Sequence, residues 1–231
     1  MTQPLLSTPK LFTPSDLKAD PCITESITRL ANDAFLRPKR SEPERWDLTV
    51  LRFPTHESYF AMLDENSIVA LIFDDATEHA QGTQAVSGPH ANGTTKRAGP
   101  KVVACAAAVP WRGGMTREGA RTESGWEIKA VCVDGDEKYL RQGLTIKLLA
   151  SLEEHLVRRA KAQDQLVDVD ATAGQDGKTL TLWILAAECL NGVYWRKRGF
   201  VEVRRSWGTN GAWGSKVDFE IVVFKKEVQY S

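Results

Sequence analysis

The sequence predicts a mixed α/β fold, a central sheet flanked by helices, and three patterns carry that expectation. Apolar strand-like runs alternate with helical stripes, one strand–helix–strand unit requires a parallel crossover, and a pair of strands closes the chain. In chain order, Asp20-Pro21 is a cap followed by a proline at the first helical position, and Ile23, Ile27, Leu30, Ala31, Ala34 and Phe35 recur behind it at helical spacing. Thr55 to Leu63 reads as a shorter helix and Ser67 to Phe73 as a buried strand. Lys101 to Pro110, Trp126 to Val133 and Leu180 to Ala187 read as three more strands, the last apolar enough to be buried on both faces. Between the latter two, Leu144, Leu148, Leu149, Leu152 and Leu156 form the stripe of a long helix. A short helix around Leu190 to Lys197 stops at Gly199, and Val201 to Arg205 pairs with Val217 to Lys225 across a Trp/Gly/Asn loop.

Two polar stretches interrupt this order. Asp74 to Pro100 has almost no large apolar residue to offset the entropy of ordering, and reads as a mobile insertion; Gln163 to Lys178 reads as a second. With no internal repeat, the expectation is one domain over residues 1–231 that carries both.

Charge and composition exclude several function classes. Lys plus Arg number 30 and Asp plus Glu 30, so no cationic field draws the chain to nucleic acid or an anionic membrane, and neither is expected as a partner. No apolar run approaches the roughly 18–20 residues that span a bilayer. The opening Met1-Thr2-Gln3-Pro4-Leu5-Leu6 has neither the basic nor the apolar region of a secretory leader. Cys22, Cys105, Cys132 and Cys189 form no CxxC pair and three sit in apolar runs, which points to a reducing, cytoplasmic or nuclear setting. The four histidines show no ligand spacing, so no metal is expected.

The chemistry concentrates where the Trp126 to Val133 strand passes through an acidic turn into Tyr139-Leu140-Arg141-Gln142-Gly143-Leu144-Thr145, which opens the long helix. Amides at such a junction lack intrahelical partners and, with the helix dipole, favour an anion; a glycine lets a phosphate approach the backbone. An ordinary strand-to-helix turn has the same pattern, and spacing alone does not separate the two. Neither GxGxxG nor GxxxxGK[ST] is present.

This segment, taken with the downstream Tyr194-Trp195-Arg196-Lys197-Arg198-Gly199-Phe200 and the strand after it, resembles the GNAT superfamily of acetyl-CoA-dependent N-acetyltransferases. The match runs from Trp126 to Arg205. Leu140 stands where the family usually has Arg or Gln, and Thr145 where it has Gly or Ala, at positions that contribute chiefly backbone amides. The resemblance implies a sheet splayed between the Trp126 and Leu180 strands, a pantetheine arm paired with backbone at Val131, Cys132 and Val133, and the pyrophosphate held by Leu140, Arg141, Gln142, Gly143, Leu144 and Thr145. The family's thiolate-protonating tyrosine falls at Trp195, which would then border the donor, with Tyr194 one residue earlier as the candidate acid.

An alkylammonium acceptor, with a pKa of about 10, must lose a proton before attack. Glu127 is the candidate base: it resembles the glutamate that serves some family members, and strand alternation places it on the face of Val131; the other reading is a carboxylate paired with Lys129. Glu188 reads as a dipole-stabilising acid, Cys132 as structural, and Arg196-Lys197-Arg198 as a solvated face or a phosphate contact. Trp207 and Trp213 either line an acceptor pocket or pack in the core or a dimer. The resemblance implies acetyl transfer to a primary amine, small molecule or peptide, by direct attack in a ternary complex, by a monomer or homodimer. The alternative is a GNAT-like acyl-CoA-binding sensor or scaffold without turnover.

Overall fold

A computed structural model describes residues 3–75, 101–115, 117, 119–167 and 177–231. Seven strands form one sheet: β1 (Lys10–Phe12), β2 (Ile68–Asp74), β3 (Lys101–Pro110), β4 (Trp126–Val133), β5 (Lys178–Ala187), β6 (Val201–Gly208) and β7 (Phe219–Tyr230), in the order β1-β2-β3-β4-β5-β7-β6. All neighbours are antiparallel except β4 and β5, which are parallel.

Helices α1 (Pro14–Ala19), α2 (Pro21–Leu36) and α3 (His56–Phe60) cover one face, and α4 (Leu144–Val167) covers the other. A π-helical turn, Glu188–Gly192, leads from β5 into the single turn α5 (Val193–Arg196). Among the described residues no helix is long and apolar enough to cross a membrane.

Local chemistry sets these elements. Asp20 accepts a hydrogen bond from the Ile23 amide (3.1 Å) and Pro21 occupies the first turn, so α2 starts where the cap dictates. Alternation along β2 sends Val69, Leu71 and Phe73 to the α2 side and Ile68, Ala70 and Ile72 to the α4 side. On β3 the small side chains Ala104, Ala106 and Ala108 face α4, so the leucine stripe Leu148, Leu152 and Leu156 packs close to the sheet and is fully buried. Each such leucine contributes about 1.5–3 kcal/mol.

Three expectations need correction. The sheet has a further edge strand, β1, and α1 before it reaches α2; both are too short to carry a period of their own. Residues 163–178 are not one insertion: α4 continues to Val167, where Asp164 pairs with Lys178 Nζ (3.2 Å) and accepts from the Tyr230 hydroxyl (3.1 Å), and Lys178 already opens β5. Asp74 likewise belongs to β2, not to an insertion. Its buried carboxylate accepts from the Tyr139 hydroxyl (2.7 Å) and the Leu5 amide (3.1 Å), with Lys138 Nζ at 3.6 Å. The remainders of both stretches, 76–100 and 168–176, lie outside the described residues.

The Asp74–Tyr139 bond ties the loop that precedes α4 to the end of β2. Burial and the adjacent carboxylate push the Tyr139 phenol well above its ordinary pKa, so it remains a donor. Tyr139→Phe is expected to cost about 1.5–3 kcal/mol, the range for a hydrogen bond to a charged group. Urea unfolding checks this, as a lower midpoint at unchanged slope.

Candidate functional site

The site lies where β4 and β5 part. The two strands pair only at Trp126↔Leu182 and Glu127↔Trp183; beyond, β4 follows β3 while β5 runs with β7 in unbroken register from Lys178↔Tyr230 to Ala187↔Ile221. The joined end is clamped by Trp183 stacked on Trp111, ring centroids 4.7 Å apart and planes within 7°. Trp183 Nε1 donates to the Ser124 carbonyl (2.9 Å), Trp111 Nε1 to Glu123 (2.8 Å), and Arg204 forks onto both oxygens of the same Glu123 carboxylate. Between the parted strands lies a cavity of about 550 Å³.

A β-bulge decides which side chains reach it. Cys105↔Cys132 and Ala107↔Lys129 are successive pairs, so β4 spends three steps where β3 spends two, and Ala130 takes φ +48°. Before the bulge Ile128 faces α4; after it Val131 and Val133 face α4, while Ala130 and Cys132 face α2. Simple alternation therefore fails, and Glu127 and Val131 lie on opposite faces. Glu127 is 7% exposed, lines the cavity on the α2 side, and pairs with Lys129 Nζ at 3.2 Å. Glu127 is thus ion-paired with Lys129, and it also borders the cleft.

The opposite wall comes from the end of α2, the 3₁₀ turn Pro38–Ser41, the 50–52 segment and the β6–β7 loop. Arg52 lies over three rings, Phe35 at 5.3 Å, Phe53 at 5.5 Å and Trp213 at 5.9 Å, and makes no hydrogen bond or ion pair among the described residues; its Nε is buried without a partner. Burial disfavours its charge, and the fields of Glu127 and Cys132 only partly restore it. Lys39 is buried beside it, donates to the Trp213 carbonyl and sits 4.9 Å over the Trp46 ring; burial and Arg52 lower its pKa. Sequence reading missed Lys39, one of several bases in Arg37-Pro38-Lys39-Arg40, and Arg52, between Leu51 and Phe53; neither falls in a motif or at a position of a recognisable period.

The loop before α4 is built to expose backbone. Arg141 (φ +60°) and Gly143 (φ +69°) are both left-handed, which turns the chain sharply into the helix, and a Cβ at Gly143 would meet nothing within 4 Å. The amides of Gly143, Leu144, Thr145 and Ile146 have no hydrogen-bond partner among the described residues; the first bond of the helix is Lys147 N to Gly143 O (3.1 Å). Leu140, Arg141 and Gln142 are exposed, Thr145 is half-buried, and Leu144 anchors the turn in the core. A second cavity, about 360 Å³, adjoins this helix end between Ile146, Leu149, Ala150 and the basic pair Lys197 and Arg198; Ile128 lines both cavities. Asn191, from the π-helical turn, borders the first cavity and leaves its Oδ1 buried and unpaired.

The other sequence candidates separate. Trp195 lines the first cavity; Tyr194 does not, and packs edge-to-face on Trp195 (5.0 Å) under the Arg198 guanidinium. Trp213 lines the cavity, whereas Trp207 is 69% exposed on β6. Glu188 is gripped by Arg196 through two hydrogen bonds (2.7 and 3.0 Å), away from the cavity lining, which lowers its pKa and takes Arg196 out of the basic run. The carbonyl of Val133 already accepts from Arg37 Nη2 (2.9 Å). Cys132 is buried beside Cys105, and that contact with burial raises its thiol pKa well above the ordinary value, which suits packing and not nucleophilic attack. Among the described residues no group of three or more His, Cys, Asp or Glu is placed to hold a metal ion.

No protein-family model matches the chain, and no curated protein matches it in sequence. Solved structures do. A putative acetyltransferase from Acinetobacter baylyi superposes with a TM-score of 0.54 at 12% identity, over 99% of this chain and 94% of that one. A ribosomal-protein-alanine N-acetyltransferase from Brucella melitensis (TM-score 0.46, 18% identity, 95% and 99% covered) and a GNAT-family acetyltransferase from Streptococcus pneumoniae (0.47, 14%, 96% and 99%) are more distant in shape. The chain has the GNAT acyltransferase fold, the class its motifs resemble.

The placement of the thiols yields a test: Cys22 and Cys189 are exposed, Cys105 and Cys132 buried. A disulfide reagent is expected to titrate two thiols in the native protein and four after denaturation. Rapid native labelling of Cys132 by mass spectrometry would contradict the assigned packing.

Proposed function

We propose that the protein is an N-acetyltransferase that moves an acetyl group from acetyl-CoA to a primary amine by direct attack in a ternary complex. One observation carries the reading: the carboxylate of Glu127 lines the cavity between β4 and β5, and the unpaired helix-terminal amides of Gly143 to Ile146 stand beside a second cavity, bordered by Ile146, that shares Ile128 with the first.

The residues fit the donor. Its pyrophosphate would sit on the free amides of Gly143 to Ile146 in the space above Gly143, with Lys197 and Arg198 lending positive charge from the second cavity. The edge of β4 around Val131 and Cys132 has no strand partner toward β5 among the described residues and could pair with the amides of the pantetheine arm, while the Val133 carbonyl is taken by Arg37. Asn191 Oδ1, buried and unpaired, is an acceptor waiting for an N–H. Acetyl-CoA would supply the thioester: the acceptor nitrogen bonds to its carbonyl carbon as the C–S bond breaks, and the thiolate leaves with the second proton that this nitrogen sheds.

The chain's part is positional and acid–base. Ahead of the bulge Glu127 faces the α2 side, where the acceptor would enter, while the backbone that would receive the donor continues past it on the same strand. Glu127 takes the ammonium proton, and Lys129, at 3.2 Å, orients the carboxylate. The second reading, an acyl-CoA-binding sensor without turnover, is favoured by one observation: Trp195, with no acid to offer the thiolate, lines the cleft at the family's tyrosine position.

Gly143→Glu is expected to weaken acetyl-CoA binding by about a hundredfold or more, about 2.7 kcal/mol, by placing a like charge in the phosphate cradle; calorimetric titration reads this directly. Glu127→Gln is expected to lower kcat by about 10²–10⁴ with acetyl-CoA affinity unchanged. Acetyl-CoA binding without turnover of any amine would select the sensor reading.

A further inference from the structure

The acceptor side of the cavity is charged in a way that the acetyl donor does not explain. Glu127 is neutralised by Lys129, and Lys39 is engaged by the Trp213 carbonyl. That leaves Arg52, a cavity-lining guanidinium with no hydrogen bond or ion pair among the described residues and with its Nε buried. Such a group costs stability unless something pairs with it. The aromatic rings of Phe35, Phe53 and Trp213 stabilise its faces, and Glu127 acts on it only through space. None of these occupies its in-plane N–H fork, the part whose geometry matches a carboxylate.

We propose that the acceptor is a free α-amino acid with a large apolar side chain, its carboxylate held by Arg52 and its amino group presented to Glu127. This rests on the acetyltransferase reading and narrows it. Arg52 and Glu127 line the same cavity and lie within each other's field, so the groups they bind belong to one short molecule. In an α-amino acid a single carbon separates amine from carboxylate. The side chain then falls among Leu36, Val50, Leu51, Met115 and Leu190, which offer no polar partner of their own. A polycationic amine is disfavoured by Arg52 and Lys39 together. A peptide N-terminus or a lysine side chain carries no carboxylate beside its amine.

The test compares L-phenylalanine, L-phenylalaninamide and phenethylamine as acceptors, following thiol release from acetyl-CoA, alongside calorimetry of acetyl-CoA binding. Phenylalanine is expected to exceed the other two in kcat/KM by about a hundredfold, the range for losing a charge-assisted pair. Arg52→Gln is expected to bring phenylalanine down to the level of its amide, and Arg52→Lys, which keeps the charge and loses the fork, to an intermediate value. Equal turnover of all three acceptors by the wild-type protein overturns the carboxylate assignment and leaves the transferase standing. If acetyl-CoA does not bind, the transferase reading falls, and thermal-shift titration with phenylalanine judges Arg52 separately. Stabilisation by phenylalanine, absent with phenylalaninamide and lost in Arg52→Gln, supports the carboxylate site; no stabilisation overturns it.

Discussion

Everything in the site depends on β4 and β5 being joined at one end and apart at the other. Each strand is paired on its far edge, β4 with β3 across the bulge and β5 with β7 without interruption, so their separation opens a gap between the two near edges. The Trp111–Trp183 stack, held by Ser124, Glu123 and Arg204, fixes the point of divergence. A sheet that stayed closed here would have no cavity, and neither the helix-terminal amides nor the Arg52 wall would have anything to meet.

The bulge at Ala130 is the second determinant. One extra residue on β4 inverts the facing of every later side chain, so Glu127 on the α2 side and Val131 on the α4 side lie on one eight-residue strand. It also explains why Glu127 both pairs with Lys129 and borders the cavity: the ion pair forms on the cavity side, where it orients the carboxylate. The buried Tyr139–Asp74 bond plays the matching part on the donor side, by anchoring the loop whose amides remain open.

Much of the fold was legible because burial writes itself in periods. The β2 and β3 runs, the leucine stripe of α4 and the Asp20-Pro21 start of α2 all follow from alternation, helical spacing or capping, and β3 and β4 have the bounds their apolar runs imply. β1 and α1 were not, since three and six residues hold less than a pattern. In the site, the Gly143 loop was readable through its glycine and helix start. The bulge was not, because Ala130 in a left-handed conformation has no sequence signature. Arg52 and Lys39 were invisible for a related reason: much of what encloses them comes from elsewhere in the chain, Phe35 and Trp213 for Arg52, Trp46 and Trp213 for Lys39.

The central claim, that the gap between β4 and β5 receives an acyl-CoA along the open strand edge and onto the α4 terminus, is tested most directly by amide hydrogen exchange with and without acetyl-CoA. The account predicts slowed exchange concentrated in two segments, residues 131–133 on β4 and 143–146 at the start of α4, with the β6–β7 ladder unchanged. Protection elsewhere on the molecule, or none at saturating acetyl-CoA, would contradict it.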